Sequence, residues 1–315
     1  MSIRKFWLGA ITAVLAGGAG VQANDGVEQS PWTASTPTYE ETVSQSDKLF
    51  GIIGQSDHEF DNFISPMTNP VYFEDPRNLT EVRFIFLNNH LPSDLGGQDA
   101  QLYGAQVRAK LTENLSLVAA KDGYIVSQNP VVKDGFADVS VGLKYNIFKD
   151  IEAQQLLSAG FAYSLPIGST QALQGRTDGE FHFYLTGGAQ LFEQFHFLSA
   201  TGFRIPADVP SGNQMWYWSN HLDWQVNCSN VYLFTEANWY DYMSSGDALP
   251  LSVGGLDLMN LGGSGLAGTS VVTGAYGVKY KPYSNIEIGA AYEIPYTSRQ
   301  DILKNRVTFD FIIRF

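Results

Sequence analysis

Apolar and polar residues alternate almost without fault over the stretch 305–315. Val307, Phe309, Phe311, Ile313 and Phe315 fall on one face, and Arg306, Thr308, Asp310 and Arg314 on the other, with Ile312 as the exception. A period of two marks a β-strand whose two faces meet different surroundings. A soluble edge strand with five large apolar groups on one face would invite aggregation, whereas lipid accepts them. A strand that spans a bilayer takes about 9–11 residues, apolar toward lipid and polar toward the lumen.

The same alternation recurs upstream. Ile286, Ile288, Ala290, Tyr292, Ile294 and Tyr296 alternate with Glu287, Gly289, Ala291 and Glu293. Trp216, Trp218, Leu222, Trp224 and Val226 alternate with Tyr217, Ser219, His221, Asp223 and Gln225. Val139, Val141, Leu143, Tyr145 and Ile147 alternate with Asp138, Ser140, Gly142, Lys144 and Asn146. Strands are predicted at 81–88, 101–111, 115–123, 136–147, 155–165, 180–192, 195–205, 215–226, 231–243, 271–281, 286–296 and 305–315. The stretch 231–243 mixes its faces, with Val231, Leu233 and Trp239 set against Tyr232, Phe234 and Tyr240.

The connections sort by length. With the first strand running outward, the inner connections are 112–114, 148–154, 193–194, 227–230 and 282–285. The outer ones are 89–100, 124–135, 166–179, 206–214, 244–270 and 297–304, and each exceeds every inner one. Outer-membrane barrels pair short inner turns with long outer loops and an even strand number. A secreted sandwich or propeller would also alternate, but no blade repeat of fixed period occurs. The expected fold is all-β: an antiparallel up-and-down transmembrane β-barrel of about twelve strands over 80–315, preceded by a plug-like segment.

The chain start reads as a secretory signal peptide over 1–23. Arg4 and Lys5 precede the apolar run Phe6 to Leu15, which is too short to span a bilayer as a helix. Val21-Gln22-Ala23 supplies the small residues that an export peptidase requires, so Sec export with cleavage after Ala23 is expected. Gly18 follows Leu15-Ala16-Gly17 where a lipoprotein would carry cysteine.

Residues 24–79 differ in character. The stretch 24–46 is polar, with Pro31 and Pro37, and reads as disordered or extended. Residues 47–66 suggest one short helix carrying Leu49, Phe50, Ile52, Ile53, Phe60, Phe63 and Ile64, with Asp57 as an N-cap. Pro66, Pro70 and Pro76 then break regular structure. The run from Phe60 to Pro76 is too apolar to stay a solvated linker. It is expected to plug the barrel, with Phe50, Phe60, Phe63 and Ile64 as plug residues, or else to pack as a periplasmic arm.

The sequence holds 19 Lys+Arg against 32 Asp+Glu, a net charge of −13, which excludes nucleic acid as a partner. Cys228 is the single cysteine, so no intramolecular disulfide forms. The side chains expected to line the lumen mix signs: Arg83, Arg108, Lys110, Asp138, Lys144, Glu180, His182, His196, Arg204, His221, Asp223, Glu236, Lys279, Glu287, Glu293, Arg306, Asp310 and Arg314. In a narrow barrel they must pair with one another, with water or with the plug. They form either a structural polar network or a selectivity lining.

Catalytic chemistry finds little support. The histidines of the spanning strands, His182, His196 and His221, fall on the lumen face, and no Gly-x-Ser-x-Gly occurs. His221 and Asp223 share a face, but two ligands do not make a metal site. Asp57-His58-Glu59 reads as a helix start. Gly263-Ser-Gly265-Leu-Ala-Gly268 matches a dinucleotide fingerprint in letters only, since it lies between strands with no helix after it.

Two stretches carry a family resemblance. Ala159-Gly-Phe-Ala-Tyr-Ser-Leu-Pro-Ile-Gly168 resembles a Leu-Pro-Thr-Gly motif, with Ile167 in the place of threonine. Tyr276-Gly-Val-Lys-Tyr280, Ala290 to Pro295 and the Phe terminus resemble the closing strands of the same family. That family comprises outer-membrane β-barrels associated with phenol-degradation pathways, and the resemblance covers about 136–315. It implies inward movement of hydrophobic compounds and supplies no catalytic residue.

The combined expectation is passive uptake of small apolar or amphipathic molecules through a narrow, plugged lumen. An anchoring or loop-presenting barrel without transport is the alternative, and an outer-membrane hydrolase a further one. No cofactor and no metal are implied. The expected partners are outer-membrane lipids, the barrel assembly machinery, which would read Val307, Phe309, Phe311, Ile313 and Phe315, and a small apolar ligand. A monomer is expected. The loop 244–270, with Leu249, Leu251, Leu256, Leu258, Met259 and Leu261, is apolar enough to fold into the pore mouth or to contact a partner. Trp216, Trp218, Trp224, Trp239, Tyr280, Tyr292 and Tyr296 are expected in the interfacial girdles.

Overall fold

The computed structural model describes Leu49 and residues 51–315. The signal peptide, the stretch 24–48 and Phe50 lie outside the described residues.

The strands are β1 (Glu81–His90), β2 (Asp99–Lys110), β3 (Leu115–Lys121), β4 (Tyr124–Ser127), β5 (Gly135–Phe136), β6 (Val139–Asp150), β7 (Gln155–Leu165), β8 (Glu180–Phe192), β9 (Phe195–Pro206), β10 (Met215–Gln225), β11 (Val231–Tyr242), β12 (Thr269–Tyr283), β13 (Ile286–Pro295) and β14 (Asn305–Arg314). They form one closed antiparallel barrel of twelve staves, because two staves are interrupted. β3 and β4 lie on successive lengths of β2, divided at Asp122-Gly123. β5 and β6 follow them on the next stave, divided at Ala137-Asp138. β1 closes the ring, running from Glu81 opposite Arg314 to His90 opposite Asn305, with β2 on its other edge.

The outer connection expected at 124–135 is therefore shorter than the sequence suggests. Tyr124, Val126 and Phe136 continue the outward apolar series past the break, and the rings of Tyr124 and Phe136 meet edge to face at 5.0 Å. Gly123 makes the break possible. Its φ is +120°, and a Cβ there would lie 2.4 Å from the Tyr103 carbonyl oxygen. One rim still carries the short turns, such as 193–194 and 284–285, and the other carries the long loops, such as 166–179 and 243–268.

Burial alternates along the strands and fixes their faces. In β14, Arg306, Thr308, Asp310, Ile312 and Arg314 are buried, whereas Phe309, Phe311 and Phe315 lie 37–52% exposed on the membrane side. Ile312 obeys the alternation after all: it is an apolar side chain on the inward face. The mixed faces of β11 have the same origin. Tyr232, Phe234, Tyr240 and Tyr242 point inward and are buried, because protein rather than water fills the interior.

Part of that filling is the N-terminal segment. The helix expected over 47–66 does not form among the described residues, which show turns, irregular chain and the isolated bridges Leu49–Ile53 and Gly54–Lys110 there. Asp57 caps no helix; its carboxylate binds Lys110 and Lys149 instead. An extended chain can hand its backbone groups to wall side chains all around the lumen, which a helix, having used them internally, cannot do. The backbone N–H of Ser56 donates to the Phe315 carbonyl at the short-turn rim, and Asn78 returns to the same rim through Thr112 and Glu113. Between these points the chain climbs to Asn69–Tyr72, where Asn69 donates to Ser219 and Tyr217 donates to the Tyr72 carbonyl. Phe60, Phe63, Ile64, Tyr72 and Phe73 are all buried against wall residues such as Leu198, Tyr217 and Phe234. Each such side chain contributes about 1.5–3 kcal/mol relative to exposure to water.

Candidate functional site: a filled lumen and its apolar chamber

Of the side chains expected to line the lumen, all but Lys110 and Asp138 are buried, and the structure sorts them into three groups. The first joins the N-terminal segment to the wall near the short-turn rim. Glu74 accepts hydrogen bonds from Arg108 Nε at 2.8 Å, Arg108 Nη2 at 2.6 Å and Lys144 Nζ at 2.8 Å. Burial pushes the Glu74 carboxyl up, and Arg108 and Lys144 outweigh it, holding the group down at about 2. Arg314 bridges Glu81 at 2.9 Å and Glu287 at 2.7 Å, and Lys279 joins Glu287 to Asp310, each at 3.0 Å. Arg83 reaches Asp310 at 2.8 Å. Within the segment itself Arg77 pairs with Asp75 at 2.7 Å and donates to the Phe63 carbonyl at 2.9 Å.

The second group lies on β9, β10 and β11. His196 meets Asp223 at 2.7 Å, Asp223 meets His221 at 3.1 Å, and His221 meets Glu236 at 2.7 Å. The chain of contacts ends on the segment's backbone, where Glu236 accepts the N–H of Met67 at 2.7 Å and of Thr68 at 2.6 Å. The expected His221–Asp223 pair thus belongs to a scaffold. Among the described residues no group of three or more His, Cys, Asp or Glu side chains is arranged to hold a metal ion.

The third group holds the long loop. Residues 243–268 fold back into the mouth, where Leu256, Asp257 and Leu266 are fully buried. Asp257 forms an ion pair with Arg306 at 3.0 Å, and Arg204 donates to the Leu256 carbonyl at 2.9 Å. Glu180 accepts from the Asn260 amide at 2.5 Å, and His182 contacts the Tyr217 hydroxyl at 2.9 Å. Glu293 completes the set, 3.5 Å from Arg306. Asp138 sits apart in the wall break, 3.5 Å from Lys121 and accepting from the N–H of Gly168 and Gly175.

Sequence reading missed the partners that the strands do not carry: Glu74, Asp75, Arg77, Asp257 and Asn260. Their signal was weak but present, since Glu74-Asp-Pro-Arg77 places three charges inside an apolar run. Glu81 shares the parity of Arg83 and was legible on that ground.

Above the N-terminal segment and beneath the long loop lies an apolar chamber of about 280 Å³. Leu87, Leu102 and Ile125 line it from the wall, Pro70 and Val71 from below, and Leu249, Leu258, Met259 and Leu261 from the loop. A cavity of roughly half that volume stays dry and binds benzene when its lining is apolar. A second hollow lies against the membrane face, between Phe84, Phe86, Tyr103, Tyr124, Phe136 and Phe309. Ile85, Gly104, Asp122 and Ala137 line both, so one thickness of wall, formed by β1, β2 and the two breaks, separates the chamber from the membrane-face hollow.

No family model and no curated protein matches the sequence. Among solved structures the fold is similar to the COG4313 outer membrane channel from Pseudomonas putida F1, with a TM-score of 0.55 at 10% identity over 80% of this chain and 100% of that one. The KdgM porin matches with a TM-score of 0.47 at 10% identity over 75% of this chain and 99% of that one. The fold shared with that channel is a closed antiparallel β-barrel of twelve staves.

Proposed function

We propose that this barrel takes up small apolar or amphipathic molecules passively across the outer membrane, with no catalytic step and no cofactor. The apolar chamber carries the reading. A hydrophilic pore would be lined by polar groups through its length, whereas this interior, among the described residues, is closed by side chains and holds a space that suits hydrocarbon. The route runs past the long loop into the chamber and leaves through the wall at Asp122-Gly123 and Ala137-Asp138. The N-terminal segment acts as the plug that blocks a straight aqueous path. The phenol-degradation link rests on the motif around Pro166 and on the closing strands, and stays part of this proposal.

The test is uptake of an apolar naphthylamine dye across the outer membrane of expressing cells, compared with a Leu102→Trp variant that fills the chamber. Faster uptake with the wild type and loss of that gain in L102W supports the reading. Equal uptake in cells with and without the protein refutes it, and the anchoring reading then takes its place.

A further inference from the structure

The membrane face of β8–β12 carries a row that suits neither lipid nor water. Register places Gly187, Ser199, Asn220, Ala237 and Gly274 side by side on five neighbouring strands. All point outward, because the alternate positions Thr186, Glu236 and Ala275 are buried inside. The row is a shallow groove of small side chains. Trp218 and Trp239 flank it on one side, and Leu222 and Thr235 on the other. The Tyr296 ring closes one end, lying 2.2 Å from where a Cβ on Gly274 would stand.

Asn220 sits at the centre, midway along β10 between Met215 and Gln225, and so at the middle of the hydrocarbon. Its side chain is half satisfied. The Ser199 hydroxyl donates to Asn220 Oδ1 at 3.0 Å and itself accepts from Trp218 Nε1 at 3.0 Å. The Asn220 Nδ2 group donates no hydrogen bond among the described residues. Lipid chains offer no acceptor at that depth, since ester and phosphate oxygens lie at the interfaces.

We propose that the groove centred on Asn220 is the contact face between two copies of this chain in the membrane. The amide is self-complementary: each Nδ2 donates to the other copy's Oδ1, which has a second lone pair free. A two-fold axis along the membrane normal places every residue at the same depth as its copy, so a mid-depth amide meets its own equal. Small residues in the row let the two walls approach closely, as they do where helices associate in lipid. The interface replaces the expected monomer.

The experiment uses single-cysteine versions in native outer membranes, with Cys228→Ser to remove the natural thiol. Ala237→Cys lies in the groove, and Val141→Cys on β6 serves as a control away from it. A bis-maleimide of about 10 Å should yield a cross-linked dimer from A237C and not from V141C. Asn220→Leu added to A237C should reduce that dimer at least tenfold, while heat-modifiable gel mobility shows that the barrel has folded. Absence of the dimer, equal dimer from V141C, a product of another mass, or an undiminished dimer with N220L would each overturn the proposal.

Discussion

Glu74→Gln is the sharpest test of how the N-terminal segment is held. Among the described residues Glu74 is the single carboxylate that Lys144 pairs with, while Arg108 keeps a second partner in Glu81 at 2.8 Å. The isosteric amide leaves Lys144 without a carboxylate partner, with only neutral oxygens (those of the Asp75 carbonyl and of the amide itself) to accept from it, in a site where both side chains are 1–3% exposed. Removing one partner of a buried ion pair costs about 3–5 kcal/mol. When the segment leaves, water can solvate Lys144, so the cost falls on the seated state alone. At about 1.4 kcal/mol per tenfold change, the ratio of seated to released segment falls by roughly a hundredfold to a few thousandfold. Two readouts follow it in the reconstituted protein: proteolysis within residues 57–80, and single-channel conductance. E74Q should be cut faster and should open conductance events that resemble those of a variant lacking residues 24–79. Adding Lys144→Met removes the stranded charge and should recover much of the loss, since replacing both partners of a buried pair is close to neutral. Protease resistance and conductance of E74Q equal to the wild type would refute this account of the lumen.

The same carboxylate predicts an acid response. Its value is lowered from 4.5 to about 2, so its contribution is complete above pH 4.5 and fades as pH falls toward 2. Conductance at neutral pH and at pH 5 should therefore match, with release beginning only below pH 4.5; release near pH 6 would count against the assignment. Asp257→Asn weakens the contact to Arg306 and should free the long loop by about 1–3 kcal/mol, read as cleavage within 243–268 by protease added to whole cells. Phe311→Asp puts a charge on the lipid face of the closing strand and should prevent insertion, read as loss of the heat-modifiable band. Normal surface levels of that variant would contradict the outward assignment of β14.

The staves were legible because lipid on one side and a polar interior on the other impose a period of two. The ends of β7 and β8 fall where alternation places them. Departures came from places where a third environment intervenes. Ile312, Tyr232 and Phe234 face an interior packed with the chain's own apolar groups, a surrounding that local pattern does not announce. The stretch 47–66 looked helical because Ile52, Ile53, Phe60, Phe63 and Ile64 have helix-like spacing, yet tertiary partners took its backbone instead. The charged residues of the strands could be assigned to the lumen by parity. Their partners Glu74 and Asp257 could not, because coil and loop carry no period.

Arg314 ties the ends of the chain's fold into one event. Its guanidinium reaches Glu81 at the start of β1, Glu287 on β13 and the Ser65 hydroxyl of the N-terminal segment, the last at 2.9 Å. The residues that close the ring are thus also the residues that grip what lies inside it. Arg314 can meet Glu287 in the β13–β14 hairpin alone, but it meets Glu81 only when β1 pairs with β14, and Ser65 only when the segment lies inside. Residues 54–80 stand inside the wall like a mandrel, and the seam between β1 and β14 shares Arg314 with them. Opening the seam and releasing the segment then draw on the same guanidinium.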